Sequence, residues 1–487
     1  MSFSLAQRTQ IVLRPDPSRV VLHLFVAGLE DYGSPHSRAN LVLERALSLT
    51  EKEVRETLDE VMQLFHHRHK DLTYWFDLHA IRIASLISPS VSLTEERRRL
   101  IGALFTHEFS VEGAALTNPS MVVSGPTEKG STPFVMSVRG IGDGHRSTIG
   151  FRTGAITDDG EVSIDQPSNN LKMGLQCETQ LHKRSFLDLL QDKNDLGDNA
   201  KLILNNLTDN FTVSDLEIQI NRLLNDRETF RTADITASHF RSITERSYAV
   251  SFSSDSELSD RILWPHASAE WRGMEDLRLV KFSEPTGGTF YFGTYTAFDG
   301  RSVSQQMLRT SDFASFEMFP ATGKSATGKG LALFPRLIDG RFAALSRCDG
   351  ETNSIAFSDT PDRWTLREEL QSPRDCWELV QVGNCGSPLE TEAGWLVLTH
   401  SVGPMRTYTI GAILLDLEDP ARVIGRLPQP LIQPEDLSRD GYVPNVVYSC
   451  GGMIQGEHLV IPFGITDQSI GIATAHVQDL LDRMTPL

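Results

Sequence analysis

The nine residues Glu270-Trp271-Arg272-Gly273-Met274-Glu275-Asp276-Leu277-Arg278 carry three carboxylates and two guanidiniums. Leu279-Val280 follow, so the segment reads as the start of a β-strand with Asp276 and Arg278 on one face and Glu275 on the other. An Asp whose charge is shaped by a neighbouring Arg is equipped for acid–base work on a substrate. A salt-bridge cluster where a surface strand begins is the competing reading of the same residues. Asn118, Lys329, Asn384 and Asn445 are polar residues at the starts of other strand-like runs.

Other motifs carry less. Gly323-Lys324-Ser325-Ala326-Thr327-Gly328-Lys329-Gly330 approaches a nucleotide-binding loop, but Gly330 stands where a Ser or Thr must reach magnesium, and no helical pattern follows. The glycines of Gly140-Ile141-Gly142-Asp143-Gly144 fit a hairpin turn better than a dinucleotide fingerprint. His66-His67-Arg68-His69 offers only pairs of ligands at helical spacing, short of a zinc site, and reads as a solvated helix face. The five cysteines are scattered, with neither a CxxC pair nor Cys/His spacing suited to zinc. No metal or cofactor is expected. A net charge of −18 argues against nucleic acid or an anionic membrane as partner, so any anion must be met in a local basic pocket. Met1-Ser2-Phe3-Ser4-Leu5-Ala6-Gln7-Arg8 has no apolar core of signal-peptide length, and no run reaches the roughly 18 apolar residues of a membrane span. A cytoplasmic location is expected.

The elements that must position these residues fall into two kinds. Val54, Leu58, Val61, Met62 and Phe65 share one face of a helix predicted over 51–69, and 94–105 gives a second helical signal. A further helix-rich block runs over 175–244. The rest is short β-rich runs separated by Gly, Pro, Asp and Ser. One strand pattern recurs from Phe134, Phe290, Phe342, Trp395 and Leu459, the last four separated by 52, 53 and 64 residues, and each copy has a strand before and after it. Five meanders at roughly 50-residue spacing predict a mainly β fold, a five-bladed β-propeller; a β-sandwich would show no such period. The 487 residues then divide into an N-terminal helical region (1–112), a first blade (113–165), a helical insertion between blades one and two (166–245), and the remaining blades with a short C-terminal helix (246–487). Innermost strands line a propeller's channel, so ligand groups should gather where those strands begin.

Gly273-Met274-Glu275-Asp276-Leu277-Arg278 resembles the Gly-x-Glu-Asp-x-Arg motif of glycoside hydrolase family 130, the β-mannoside phosphorylases and mannosidases. Further segments agree in order: Tyr295-Thr296-Ala297-Phe298-Asp299-Gly300, Leu333-Phe334-Pro335-Arg336, Gly394 to His400, Gly411 to Leu417, Val443-Pro444-Asn445-Val446-Val447, and Asp467 before Gly471-Ile472-Ala473-Thr474. The resemblance covers 246–487 well and 113–160 more loosely, and omits both helical blocks. It implies a five-bladed propeller in which Asp276 is the general acid of an inverting cleavage, its proton passing through a mannosyl hydroxyl. It also implies that Asp467 holds mannose hydroxyls, and that Lys329, Arg347 and His400 lie in segments contributing to substrate or phosphate binding.

Inverting phosphorolysis needs one carboxylate, because phosphate arrives anionic. A hydrolase needs a second to activate water, roughly 6.5–9.5 Å from the first. Three positions depart from the family's phosphorylases: Lys329-Gly330 in place of Lys-Asp, Ser346-Arg347 in place of His-Arg, and Gln305-Gln306 where many carry an Arg. Arg336, Arg406, Arg139, His145 and Arg146 remain available as cations. The expected function is a β-mannoside phosphorylase releasing α-mannose 1-phosphate. In it Asp276 is catalytic, Asn118, Arg139, Glu275, Arg278, Asn445 and Asp467 bind substrate, and Lys329, Arg347 and His400 bind phosphate. An inverting β-mannosidase using water and a non-catalytic sugar-binding propeller are the alternatives. The helical blocks are expected to cover one channel mouth or to form a contact in a homo-oligomer.

Overall fold

A computed structural model describes residues 5–26, 37–128, 130–225, 232–435 and 439–487. The chain divides into two compact units, one of Met1–Asp16, Glu112–Pro167 and Met173–Leu487, the other of Pro17–Val111 and Ser168–Lys172.

The larger unit is mainly β. Its strands form five antiparallel meanders. The first comprises Ala115–Val123, Ser131–Ile141, Ser147–Thr157 and Val162–Ile164, and the second Gly273–Ser283, Thr289–Phe298, Val303–Thr310 and Ser315–Pro320. The third runs Lys329–Leu333, Phe342–Arg347, Asn353–Ser358 and Leu366–Gln371. In the fourth, Gln381–Asn384 and Leu389–Thr391 both pair with Gly394–Val402, followed by Tyr408–Leu415 and Val423–Arg426. The fifth has Val447–Tyr448 and Met453–Gln455 on His458–Ile465, then Ser469–His476. Asp residues make the same turn at several strand connections: Asp299 Oδ1 accepts from the Arg301 and Ser302 backbone N–H groups at 2.7 Å, and Asp349 Oδ1 from those of Glu351 and Thr352 at 2.9 Å.

The meanders do not merge into a closed sheet. One parallel bridge, Gly273 to Ser147, links the first two. Side-chain packing does the rest. The first and second share a core including Phe151 and Leu277, the second and third Phe282 and Leu331, and the third and fourth Phe334 and Trp395. The fourth and fifth share Leu398 and Ile461, and the fifth returns to the first through Ile472 and Phe134.

Gln7–Leu13, within the short extended lead expected before the N-terminal helices, is a strand on Ser469–His476 and completes the fifth meander. Its Ile11 and Leu13 pack on the core shared with the first meander, which explains the placement. Thr485–Pro486 pairs with Val423–Arg426, after the short helix Val477–Asp482. The insertion holds helices Lys183–Asp192, Asp198–Asn205, Val213–Asn225 and Ala233–Glu245 around Phe186, Leu190, Ile220 and Phe240. Leu175–Cys177 and Tyr248–Ser251 anchor it by extending the second meander's sheet beyond Ser315–Pro320.

The smaller unit packs helices Arg38–Ser48, Glu51–Phe65, Leu72–Arg82 and Glu95–Leu104 with a hairpin of Val20–Leu24 and Thr106–Ser110. Thr50 and Glu53 form a capping box, and Thr94 accepts from Arg97 N. Arg97 donates to the Ala46 and Leu49 carbonyls at 2.6 and 2.7 Å, satisfying the end of the helix Arg38–Ser48. The helix predicted over 51–69 stops at Phe65, and His69 Nε2 lies 2.7 Å from Glu108 Oε1. Among the described residues no helix is long and apolar enough to cross a membrane.

Candidate active site

The first strands of the first three meanders slip register at the same place: between Thr117 and Ser120, Glu275 and Arg278, and Lys329 and Ala332. The residues inside these bulges, Asn118 (φ 47°), Asp276 (φ 56°) and Gly330 (φ 95°), take left-handed backbone, as do Asn445 (φ 61°) and Asp467 (φ 51°) in the fifth. Asn and Asp enter this region at lower cost than other side chains bearing a Cβ, and Gly at none.

The bulge overturns the alternation expected from a regular strand. Glu275 and Asp276 reach the same guanidinium: Arg139 Nη2 donates to Glu275 Oε1 at 2.6 Å, and Arg139 Nη1 to Asp276 Oδ1 at 3.3 Å and Asn118 Oδ1 at 3.4 Å. Lys329 Nζ donates to Glu275 Oε2 at 2.9 Å, so Glu275 is clamped between two cations. Arg278 turns to the backbone carbonyl of Asp276 (2.9 Å) and to Tyr448 Oη (2.8 Å).

Electrostatics divides these groups by role. Burial pushes the Asp276 carboxyl up, but Arg139, Lys329, Arg278 and Arg347 outweigh it and hold the group below its ordinary value. Burial raises Asp467, and the charge of Asp276 adds to this against the pull of Arg139; its Oδ1 accepts from Thr117 Oγ1 at 3.1 Å. His400 is driven far below the ordinary imidazole value by burial and then by Arg347 and Arg278, so its ring is neutral. Its Nδ1 faces the Asn384 carbonyl at 3.1 Å, which can only accept. The ring proton therefore sits on Nδ1 and leaves Nε2 to accept from Arg347 Nη1 at 3.3 Å.

A cradle lies among Lys329, Arg347 and Asn384. Asn384 is fully buried, and among the described residues neither its amide oxygen nor its nitrogen has a hydrogen-bond partner; Arg347 Nε also lacks one there. Gly330 keeps the space open, since a Cβ there would stand 3.2 Å from Asn384 Oδ1 and 3.3 Å from Arg347 Cβ. Each buried polar group left unpaired costs about 1–3 kcal/mol, which an anion accepting from the amide and the guanidinium would offset.

Of the residues picked from the sequence, Asp276, Glu275, Arg278, Asn118, Arg139, Lys329, Arg347, His400 and Asp467 form one linked network of hydrogen bonds and charges. The described hydrogen bonds tie Asn445 to Arg439 (3.1 Å) and leave it outside the Arg139 network. Arg336 is spent on Glu390 at 2.8 Å. Gln306 holds Arg246, the side chains meeting at 3.0 Å. Tyr448 went unnoticed, although it follows Asn445 by three residues on the fifth meander's innermost strand. Asn384 was seen only as a polar strand residue.

Residues 237–485 match the model of glycoside hydrolase family 130, described as beta-1,4-mannooligosaccharide phosphorylase. The chain belongs to glycoside hydrolase family 130. Within this family-130 chain the matched segment holds Asp276, Lys329, Arg347, Asn384, His400 and Asp467, while Asn118 and Arg139 precede it. A 1,2-beta-oligomannan phosphorylase of Thermoanaerobacter sp. is 31% identical over 259 residues, 52% of this chain and 86% of the relative. A beta-1,2-mannobiose phosphorylase of Listeria innocua is 27% identical over 229 residues, 46% of this chain and 63% of its own length. The solved structure of the Listeria innocua beta-1,2-mannobiose phosphorylase with beta-1,2-mannobiose aligns with TM-score 0.45 and 20% identity, covering 77% of this chain and 92% of that one.

Proposed function

We propose that the protein is a glycoside phosphorylase that cleaves β-mannosidic bonds with inversion, takes up inorganic phosphate and releases α-mannose 1-phosphate. The observation that carries this reading is the division of labour between neighbouring carboxylates. Asp276 is the catalytic carboxylate, whereas Glu275 is held by Arg139 and Lys329 at 2.6 and 2.9 Å and is too strongly paired to activate water. Lys329, Arg347 and the unpaired Asn384 amide offer an anion the positive charge and donors that phosphorolysis requires.

Phosphate in this cradle attacks the anomeric carbon from the side opposite the leaving oxygen. The C1–O bond breaks, a C1–O–P bond forms, and the leaving oxygen takes the proton that Asp276 supplies through a mannosyl hydroxyl. His400 is neutral and positions Arg347 through Nε2 instead of adding charge. Asp276 is ionised in the empty site. Bound phosphate offsets the charges of Lys329 and Arg347, raises the carboxyl, and lets it hold the proton it must give. Asn118, Arg139, Arg278 and Asp467 hold the mannosyl hydroxyls. Relatives named for β-1,2-linked mannosides at 31% and 27% identity support that linkage.

The five meanders and the apolar cores that run from each to the next and from the fifth to the first support five blades of a propeller. Five unpaired cysteines suit a reducing, cytoplasmic compartment.

Incubation with mannobioses of each β-linkage, with and without phosphate, tests the function. α-Mannose 1-phosphate should form only with phosphate, and Asp276→Asn should lower the rate by roughly 10²–10⁴-fold. Free mannose released regardless of phosphate would identify a mannosidase. Binding without turnover would identify a sugar-binding protein.

A further inference from the structure

Ser147 joins the carboxylate network to a second group of side chains. Its hydroxyl accepts from Arg139 Nε at 2.9 Å, and its backbone N–H donates to the Arg272 carbonyl at 3.1 Å. The residues just before these two, Arg146 and Trp271, stack on each other. The Arg146 guanidinium carbon lies 4.7 Å from the Trp271 ring centre and 5.4 Å from that of Trp264. Next to Arg146, His145 (φ 56°) meets Tyr442, with Nδ1 and Oη 2.9 Å apart and ring centres separated by 6.0 Å. Arg272 Nη1 donates to the Gly144 carbonyl at 3.1 Å and pins this hairpin in place.

These rings are held firmly yet left open: Trp271 is 54% exposed and Tyr442 44%. A rigid aromatic face bordered by a guanidinium and an imidazole suits a pyranose, whose C–H face packs on the ring while its hydroxyls pair with the polar groups. Trp271 stands five residues before Asp276, at the end of the short turn Ser268–Glu270 that leads into the strand Gly273–Ser283. Asp276 itself is only 8% exposed, so the terminal mannosyl ring occupies the buried end and the rest of an oligosaccharide must leave toward exposed groups.

We propose that Trp271 and Tyr442, with Arg146 and His145 between them, form a distal subsite. It stacks a sugar ring on the leaving-group side of a β-mannoside oligosaccharide and makes the enzyme prefer chains longer than a disaccharide. The inference rests on the phosphorylase reading. The test compares kcat/KM for β-1,2-linked mannotetraose and mannobiose at saturating phosphate. The tetraose-to-biose ratio exceeds one in the native protein and falls about tenfold in Trp271→Ala, a loss of ~1.4 kcal/mol. Trp271→Phe keeps the ratio within about twofold of native, because a stacking face remains. Tyr442→Ala moves the ratio in the same direction as Trp271→Ala, and an unchanged KM for phosphate in each variant reports an intact catalytic cluster. A ratio unaltered in Trp271→Ala, or lowered as far in Trp271→Phe, overturns the subsite alone. A native protein inactive on every β-mannoside overturns the phosphorylase reading first and the subsite with it.

Discussion

Asn384 illustrates how a single side chain separates binding from support. Among the described residues its buried amide has no partner at either end and faces Gly330, an arrangement that costs stability and that the proposed phosphate would offset. Asn384→Ala should therefore raise the KM for phosphate about tenfold, in line with the loss of a hydrogen bond to a charged group, and leave the melting temperature equal to native or higher. Phosphate-dependence kinetics and a thermal melt of the same sample check both halves. An ordinary structural Asn would show a lower melting temperature and no change in KM. The candidate site was legible in the sequence because Glu275, Asp276 and Arg278 are crowded into one motif. Their directions were not, because a one-residue bulge with left-handed backbone at Asp276 reverses the alternation that strand periodicity assumes. The partners of Asn384, Tyr448 and Ser147 were not legible for another reason: each meets residues far away in sequence.

At the scale of elements, the five strand patterns were visible as a spacing, and the structure supplies a meander for each. The helices over Glu51–Phe65 and Glu95–Leu104 were visible, the first through its apolar stripe. Gln7–Leu13 was visible only as an extended lead, because the partner of a lone strand shows only in the fold. The helical unit carries its own pH response. Burial, followed by the charges of Arg82, His23 and His107, holds His79 down to about 4, and its Nδ1 lies 2.7 Å from Thr106 Oγ1. The unfolded imidazole titrates near 6.5, so the folded form binds fewer protons between these values. This contribution to stability is complete above about 6.5 and is lost as pH falls through about 4. Thermal unfolding between roughly pH 7 and 5 should show a falling midpoint, and His79→Gln should flatten that dependence.

For the molecule as a whole, the boundary of the larger unit matters more than the expected one at residue 112. A chain starting at 113 loses the helical unit and also the strand that completes the fifth meander. Such a truncation should melt well below the native protein. A chain in which a short linker replaces 17–111 keeps the strand and should melt close to native, since Ser110 Oγ and the Pro17 carbonyl lie 3.2 Å apart and leave a small gap to bridge. Calorimetry on the two chains decides between them; equal melting temperatures would show that the strand adds nothing.

The same pairing sets a schedule for the nascent chain. Gln7–Leu13 leaves the ribosome before its partner Ser469–His476, which emerges on the order of a minute later at about 5–20 residues per second. Through that interval the strand is an open edge, and its Gln7-Arg8-Thr9-Gln10 run, polar and positively charged, keeps it from adding to neighbouring sheets before its own partner is made.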